Sequence, residues 1–177
     1  MKILGIDPGY ERLGIAVIEK ESGKTGSQKN REVVLYSACF RTSAKDNMHK
    51  RLGEIGSEIS RIMEEFSPDA LAIETLFIST NQKTGMRVAE ARGIIMYEAI
   101  KRQIPVYEYS PMQIKTAITS DGSSDKRRMI KMIRLLVKIP NTEHLSSNTK
   151  TTSTQPKILD DEYDAIGVAL THSAISR

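Results

Sequence analysis

Apolar residues in this chain fall first into short unbroken runs and then into helical spacing. KILGID at 2–7 is a run of four apolar or small residues that ends on an acid, and Pro8-Gly9 closes it with a turn. LGIAVIEK at 13–20 and EVVLYSACFRT at 32–42 read as two more strands, joined by the polar loop ESGKTGSQKN. The three together suit an antiparallel meander. From 47 to 66 the period changes: Met48, Leu52, Ile55, Ile59, Ile62, Met63 and Phe66 share one helical face, and Ser67-Pro68 ends the helix. DALAIETLF at 69–77 is again a buried strand, with Glu74 inside its apolar run. A helix over 82–103, a strand beginning at Ile104-Pro105-Val106-Tyr107, and helices near 111–119 and 125–138 follow. Residues 141–157 are polar and rich in Ser and Thr, which predicts a long mobile loop. A last helix covers 159–176.

Strands first, then strand and helix in alternation, predict an α/β fold: one domain over residues 1–177, with a mixed five-stranded sheet flanked by helices. Strands one and four can lie side by side and parallel through a right-handed crossover. Ligands in such sheets bind beyond the carboxyl ends of the parallel strands.

Composition narrows the setting. In 177 residues, 39% hydrophobic and 27% charged, no apolar run approaches the length of a membrane span, and the start MKILGIDPG is no signal peptide. Cys39 is the single cysteine, so no intrachain disulfide forms, and a reducing cytoplasm is the expected compartment. Three scattered histidines, His49, His144 and His172, make no zinc pattern; His172 is expected at the surface or capping its helix, and Cys39 in the core. The net charge of +4 is modest, but it is segregated: Lys126, Arg127, Arg128, Lys131, Arg134 and Lys138 crowd one segment, while Asp160, Asp161, Glu162 and Asp164 crowd another.

The acids carry the chemistry. Asp7 and Glu74 each stand at the late end of an apolar strand, and neighbouring strands would bring them together. Each taken alone is a plausible cap for a turn or helix. Asp161 and Asp164 lie three apart in the first turns of the last helix, on one face, where acids also favour the helix dipole. Four carboxylates approaching one point repel unless a cation joins them. Oxygen donors of this kind suit magnesium or manganese. Four charges offset two divalent ions, and a two-metal centre suits phosphodiester hydrolysis. That gives the buried Glu74 its partner.

GIDPG at 5–9, IETLF at 73–77, ARG at 91–93, PVYEY at 105–109 and DEYDAIGVALTH at 161–172 stand in an order and spacing that resembles the RuvC family, the bacterial crossover junction endodeoxyribonucleases that resolve Holliday junctions. The resemblance covers nearly the whole chain. It implies a ribonuclease H-like fold and a homodimer that cuts two strands of four-way junction DNA symmetrically, with Mg2+ as cofactor (two per site) and Mn2+ as a substitute. It implies a RuvA–RuvB branch-migration complex as partner. The catalytic and metal-binding acids then fall on Asp7, Glu74, Asp161 and Asp164. Asp161, rather than its neighbour Asp160, keeps the spacing to Asp164 and the match to the family. Phe77 matches an aromatic placed against junction bases, where stacking contributes about 1–3 kcal/mol per base. Lys115 and Lys126 match basic positions near the DNA, and Arg127 and Arg128 extend that charge toward phosphates. The loop before the last helix is longer than is usual for the family.

The second helix carries apolar residues around more of its surface (Met86, Val88, Ala91, Ile94, Ile95, Met96) than one core face needs, which suits a dimer interface or burial between two layers. Two other functions compete. A phosphotransferase of the actin and sugar-kinase type also begins with a strand, an acid and a glycine turn. It needs a second such turn, and the nearest candidate, Asp121-Gly122, has no hydrophobic strand before it. A catalytically dead DNA-binding relative would not be expected to keep all four acids.

Overall fold

The computed structural model describes residues 1–20, 32–76, 82–139 and 158–176. Its strands are β1 (Lys2–Asp7), β2 (Arg12–Lys20), β3 (Glu32–Arg41), β4 (Ala70–Glu74), β5 (Val106–Tyr109) and β6 (Val137–Lys138), and its helices α1 (Met48–Phe66), α2 (Gln82–Lys101), α3 (Pro111–Thr119), α4 (Lys126–Leu136) and α5 (Asp160–Ile175). The sheet order is β5-β4-β1-β2-β3-β6. β1, β2 and β3 form the expected antiparallel meander, and β1 and β4 are parallel neighbours.

Helices cover both faces. Leu4, Ile6, Leu13, Ile15, Val17, Leu71 and Ile73 pack against Ile55, Ile59, Ile62 and Met63 of α1 and Ala91, Ile95 and Ala99 of α2. The opposite face presents Ile3, Ala16, Ile18 and Ala72 to Ile114 and Ile118 of α3, Met129 and Ile133 of α4, and most of α5. α5 is buried nearly all round, so it is the central helix of its layer.

Local chemistry sets the helix ends. Asn47 accepts a hydrogen bond from the Lys50 amide, and Ser67 ends α1 in the left-handed region at φ 47°. Ser110 and Gln113 close a capping box on α3, whose first residue is Pro111. Asp125 caps α4, and the Thr119 and Ser124 hydroxyls, 2.6 Å apart, tie the α3–α4 turn together.

The sheet has six strands among the described residues, not the five expected. The sixth comes from a segment read as helix to 138. α4 stops at Leu136 because the chain is approaching Ile139-Pro140, where a helix cannot continue. Val137 turns extended, at φ −119° and ψ 144°, and buries its side chain, so Val137 and Lys138 pair in parallel with Glu32 and Val33. The loop expected over 141–157 lies outside the described residues.

Candidate active site

Strand parity brings the acids together. On β1, Leu4 and Ile6 face α1 and α2, so Ile3, Gly5 and Asp7 face the α5 layer. On β4, Leu71 and Ile73 face α1 and α2, so Ala72 and Glu74 face α5. The β1–β4 register runs to Ile6 opposite Ile73, and the next positions are Asp7 and Glu74. Across the sheet Asp7 pairs with Gly14, Gly14 with Cys39, and Glu74 with Tyr109. Tyr109, Glu74, Asp7, Gly14 and Cys39 therefore make one row beneath the start of α5.

α5 comes down onto that row because two positions lack side chains. A Cβ at Gly14 would collide with the carbonyl oxygen of Asp161, and one at Gly5 with the carbonyl oxygen of Ala165. The helix start is also pinned. Leu159 has no capping oxygen, so the buried Glu162 carboxylate accepts the Leu159 amide at 3.0 Å and the Ser37 hydroxyl of β3 at 2.6 Å. Glu162 is thereby committed to structure. Asp161 and Asp164 are half-buried beside Asp7, whereas Asp160 is exposed.

The electrostatics record the crowding. Burial, followed by the charges of Asp164, Glu74 and Asp161, raises the Asp7 pKa to about 7. Burial and the Asp164 charge also raise Glu74, against the opposing pull of Arg92, Lys115 and Lys126. Asp164 is raised by burial, partly offset by the Lys126 ammonium, whose Nζ is 2.6 Å from its Oδ2. Asp161 goes the other way. Burial would raise it, but hydrogen bonds from Arg12 and Cys39 outweigh that and hold it below the usual range. Arg12 makes an ion pair with Asp161 Oδ2, and Cys39 Sγ lies 3.4 Å from the same oxygen.

Among the described residues no three acids, cysteines or histidines are preassembled into a metal cage. Asp161 and Asp164 are each engaged by a basic side chain instead. The donor set nonetheless fits hard divalent cations: it is all oxygen, and its members raise one another's affinity for positive charge.

Lys115 is half-buried and lies near enough to Glu74 to lower its pKa. Lys126, Arg127 and Arg128 open α4 on the exposed side. Lys126 reaches into the site, also approaching Asp160 at 3.9 Å, while Arg128 bonds Asp121 at 3.0 Å. Phe77 lies outside the described residues. Three neighbours of the acids are not apparent from sequence alone: Arg12, Arg92 and Cys39. Cys39 is half-buried, not in the core as expected, and lies opposite Gly14 on β3. His172 is a second correction. It is 3% exposed, its Nδ1 sits 2.8 Å from the Tyr109 hydroxyl, and its ring packs on Tyr107. α5 is central, so it stays covered as far as Ser173. On α2, Ala91 and Ile95 are buried, while Met86, Tyr97 and Ile100 form an exposed apolar stripe.

Residues 3–172 match the family model described as "Crossover junction endodeoxyribonuclease RuvC". A protein of that name from Thermosipho melanesiensis is 42% identical over 146 residues, covering 81% of this chain and 88% of its own. Another, from Petrotoga mobilis, is 36% identical, covering 100% of this chain and 96% of its own. Among solved structures, Thermus thermophilus RuvC in complex with Holliday junction substrate superposes with a TM-score of 0.81 at 26% identity, covering 100% of this chain and 95% of that one.

Proposed function

The chain belongs to the RuvC family of crossover junction endodeoxyribonucleases, and from that premise we propose that it resolves four-way DNA junctions by metal-dependent phosphodiester hydrolysis at the row of acids beneath α5. The observation that carries the site is the convergence of Asp7, Glu74, Asp161 and Asp164, acids from β1, β4 and α5, whose charges add to burial in raising the Asp7 pKa to about 7.

These four side chains would hold the metal, with Mg2+ and Mn2+ as the ions an all-oxygen donor set prefers and two ions as the number four carboxylates offset. When bound, such an ion lowers the pKa of water and neutralises charge developing on the phosphate. The chain itself does the rest. The sheet row and the two close glycines fix Asp7 and Glu74 against Asp161 and Asp164. Arg12 and Lys126 hold two of the carboxylates and bring positive charge to the site's mouth, where a phosphate would arrive. Lys115, Arg127 and Arg128 extend that charge along α3 and α4 to position the backbone. Symmetric nicks need two sites, and the exposed stripe on α2 supplies a surface for a homodimer.

The test is cleavage of a mobile four-way junction in Mg2+ or Mn2+, with linear duplex as the control substrate. Paired, symmetric nicks on the junction alone are expected. Asp7→Asn should bind the junction and not cut it. An Asp7→Asn protein that cut at the wild-type rate would remove Asp7 from the metal site, and tight binding without nicks in the wild type would leave a junction-binding protein.

A further inference from the structure

The acids sit on one face of the sheet, but one of them is gripped from the other face. Arg92 of α2 is 9% exposed, and nothing in the nuclease reading uses it. A guanidinium that far from water is costly to keep unless its donors are satisfied. Here both terminal nitrogens are engaged: Nη1 donates to the main-chain carbonyl of Glu74, Nη2 donates to the Glu108 carboxylate, and Nη2 also lies 3.9 Å from Met96 Sδ. Glu108 alternates with Tyr109 on β5, so it faces α2 while Tyr109 faces α5. The planar fork thus spans the carboxyl ends of β4 and β5. It does so where the Thr75 amide bonds the Tyr109 carbonyl at 2.9 Å, at the last rung of that ladder. Glu74 is the final residue of β4, so beyond that rung no strand pairing holds the chain.

We propose that Arg92 is a positioning residue for Glu74, fixing the backbone of a metal-binding carboxylate from behind the sheet and tying it to the helix that carries the exposed apolar stripe. The inference rests on the metal-site reading above. Lysine keeps the charge but cannot bridge two acceptors in a fixed plane, so Arg92→Lys separates position from charge.

The measurement is Mn2+ binding to the full chain, followed by the electron paramagnetic resonance of free Mn2+, together with the Mn2+ dependence of junction cleavage and thermal unfolding in EDTA. Arg92→Lys should unfold in EDTA close to the wild-type temperature, bind Mn2+ about 10–100-fold more weakly, as loss of a ligand's supporting partner does, and recover cleavage at high Mn2+. Glu108→Gln removes the charge from one arm of the fork and should weaken Mn2+ several-fold, which keeps the test alive if Arg92→Lys does not fold. Unchanged Mn2+ affinity in the folded variants, with or without a lower unfolding temperature, overturns the proposal. Glu74→Gln separates the two readings. If it weakens Mn2+ binding while Arg92→Lys does not, only the role of Arg92 falls. If it leaves Mn2+ binding intact, the metal site falls as well.

Discussion

Asp7 costs the folded chain stability whenever it must be charged without a cation. Its pKa rises from 3.8 to about 7 on folding, so between those values the folded state binds the proton that the unfolded state has lost. Stability therefore falls as pH rises through that window and stays low above it. Asp7→Asn removes the penalty. In EDTA at pH 8 the variant should be more stable than wild type by on the order of 4 kcal/mol, and the difference should vanish near pH 4, as read by denaturant unfolding at both values. Mg2+ should stabilise the wild type more at pH 8 than at pH 5, since the proton and the cation compete for the same oxygens. Asp7 and Glu74 were legible in sequence because an acid ending an apolar run stands out against its neighbours. Arg12 and Arg92 were not. A basic residue is ordinary anywhere on a chain, and only the register of β2 and the inward turn of α2 show which acid each one meets.

At the level of elements, the site depends on how closely α5 approaches β1 and β2. Gly14 faces the Asp161 carbonyl with no room for a methyl group. Gly14→Ala should lower stability by about 1–3 kcal/mol, the range for overpacking, and lower cleavage further by lifting Asp161 and Asp164 away from Asp7. Unfolding curves and junction nicking on the same preparation check both effects. Strand and helix periods were strong enough to locate the main elements within a residue or two at most ends, and the late positions of Asp7 and Glu74 on neighbouring strands already pointed to their meeting. β6 escaped because two residues have no period, and its identity comes from a parallel partner, Glu32–Val33, distant in sequence. The burial of His172 is hidden from the sequence for the same kind of reason. Helical spacing shows that a face is apolar, but not that every face of α5 is covered.

On the scale of the whole molecule, the three-layer arrangement leaves Met86, Tyr97 and Ile100 at 63%, 61% and 63% exposed along one line of α2, on the outer side of a helix whose inner side holds the sheet. If two copies pair through this stripe, Tyr97→Asp with Ile100→Asp should give a folded monomer. Light scattering would record the mass change, and the unfolding temperature should hold. Junction cleavage by such a monomer should lose the coupling between its two nicks.

The four acids also come from widely separated parts of the chain, at 7, at 74, and at 161 and 164. Closing so long a loop is entropically slow and happens only when β1, β4 and α5 are all docked. A ribosome-bound fragment lacking α5 would carry only Asp7 and Glu74 of the four acids, and a partly opened molecule would have two acids on the sheet and none above it. If these acids are the cutting site proposed above, the capacity to break DNA would be gated by completion of the fold, and a chain still being made, or coming apart, would leave DNA uncut.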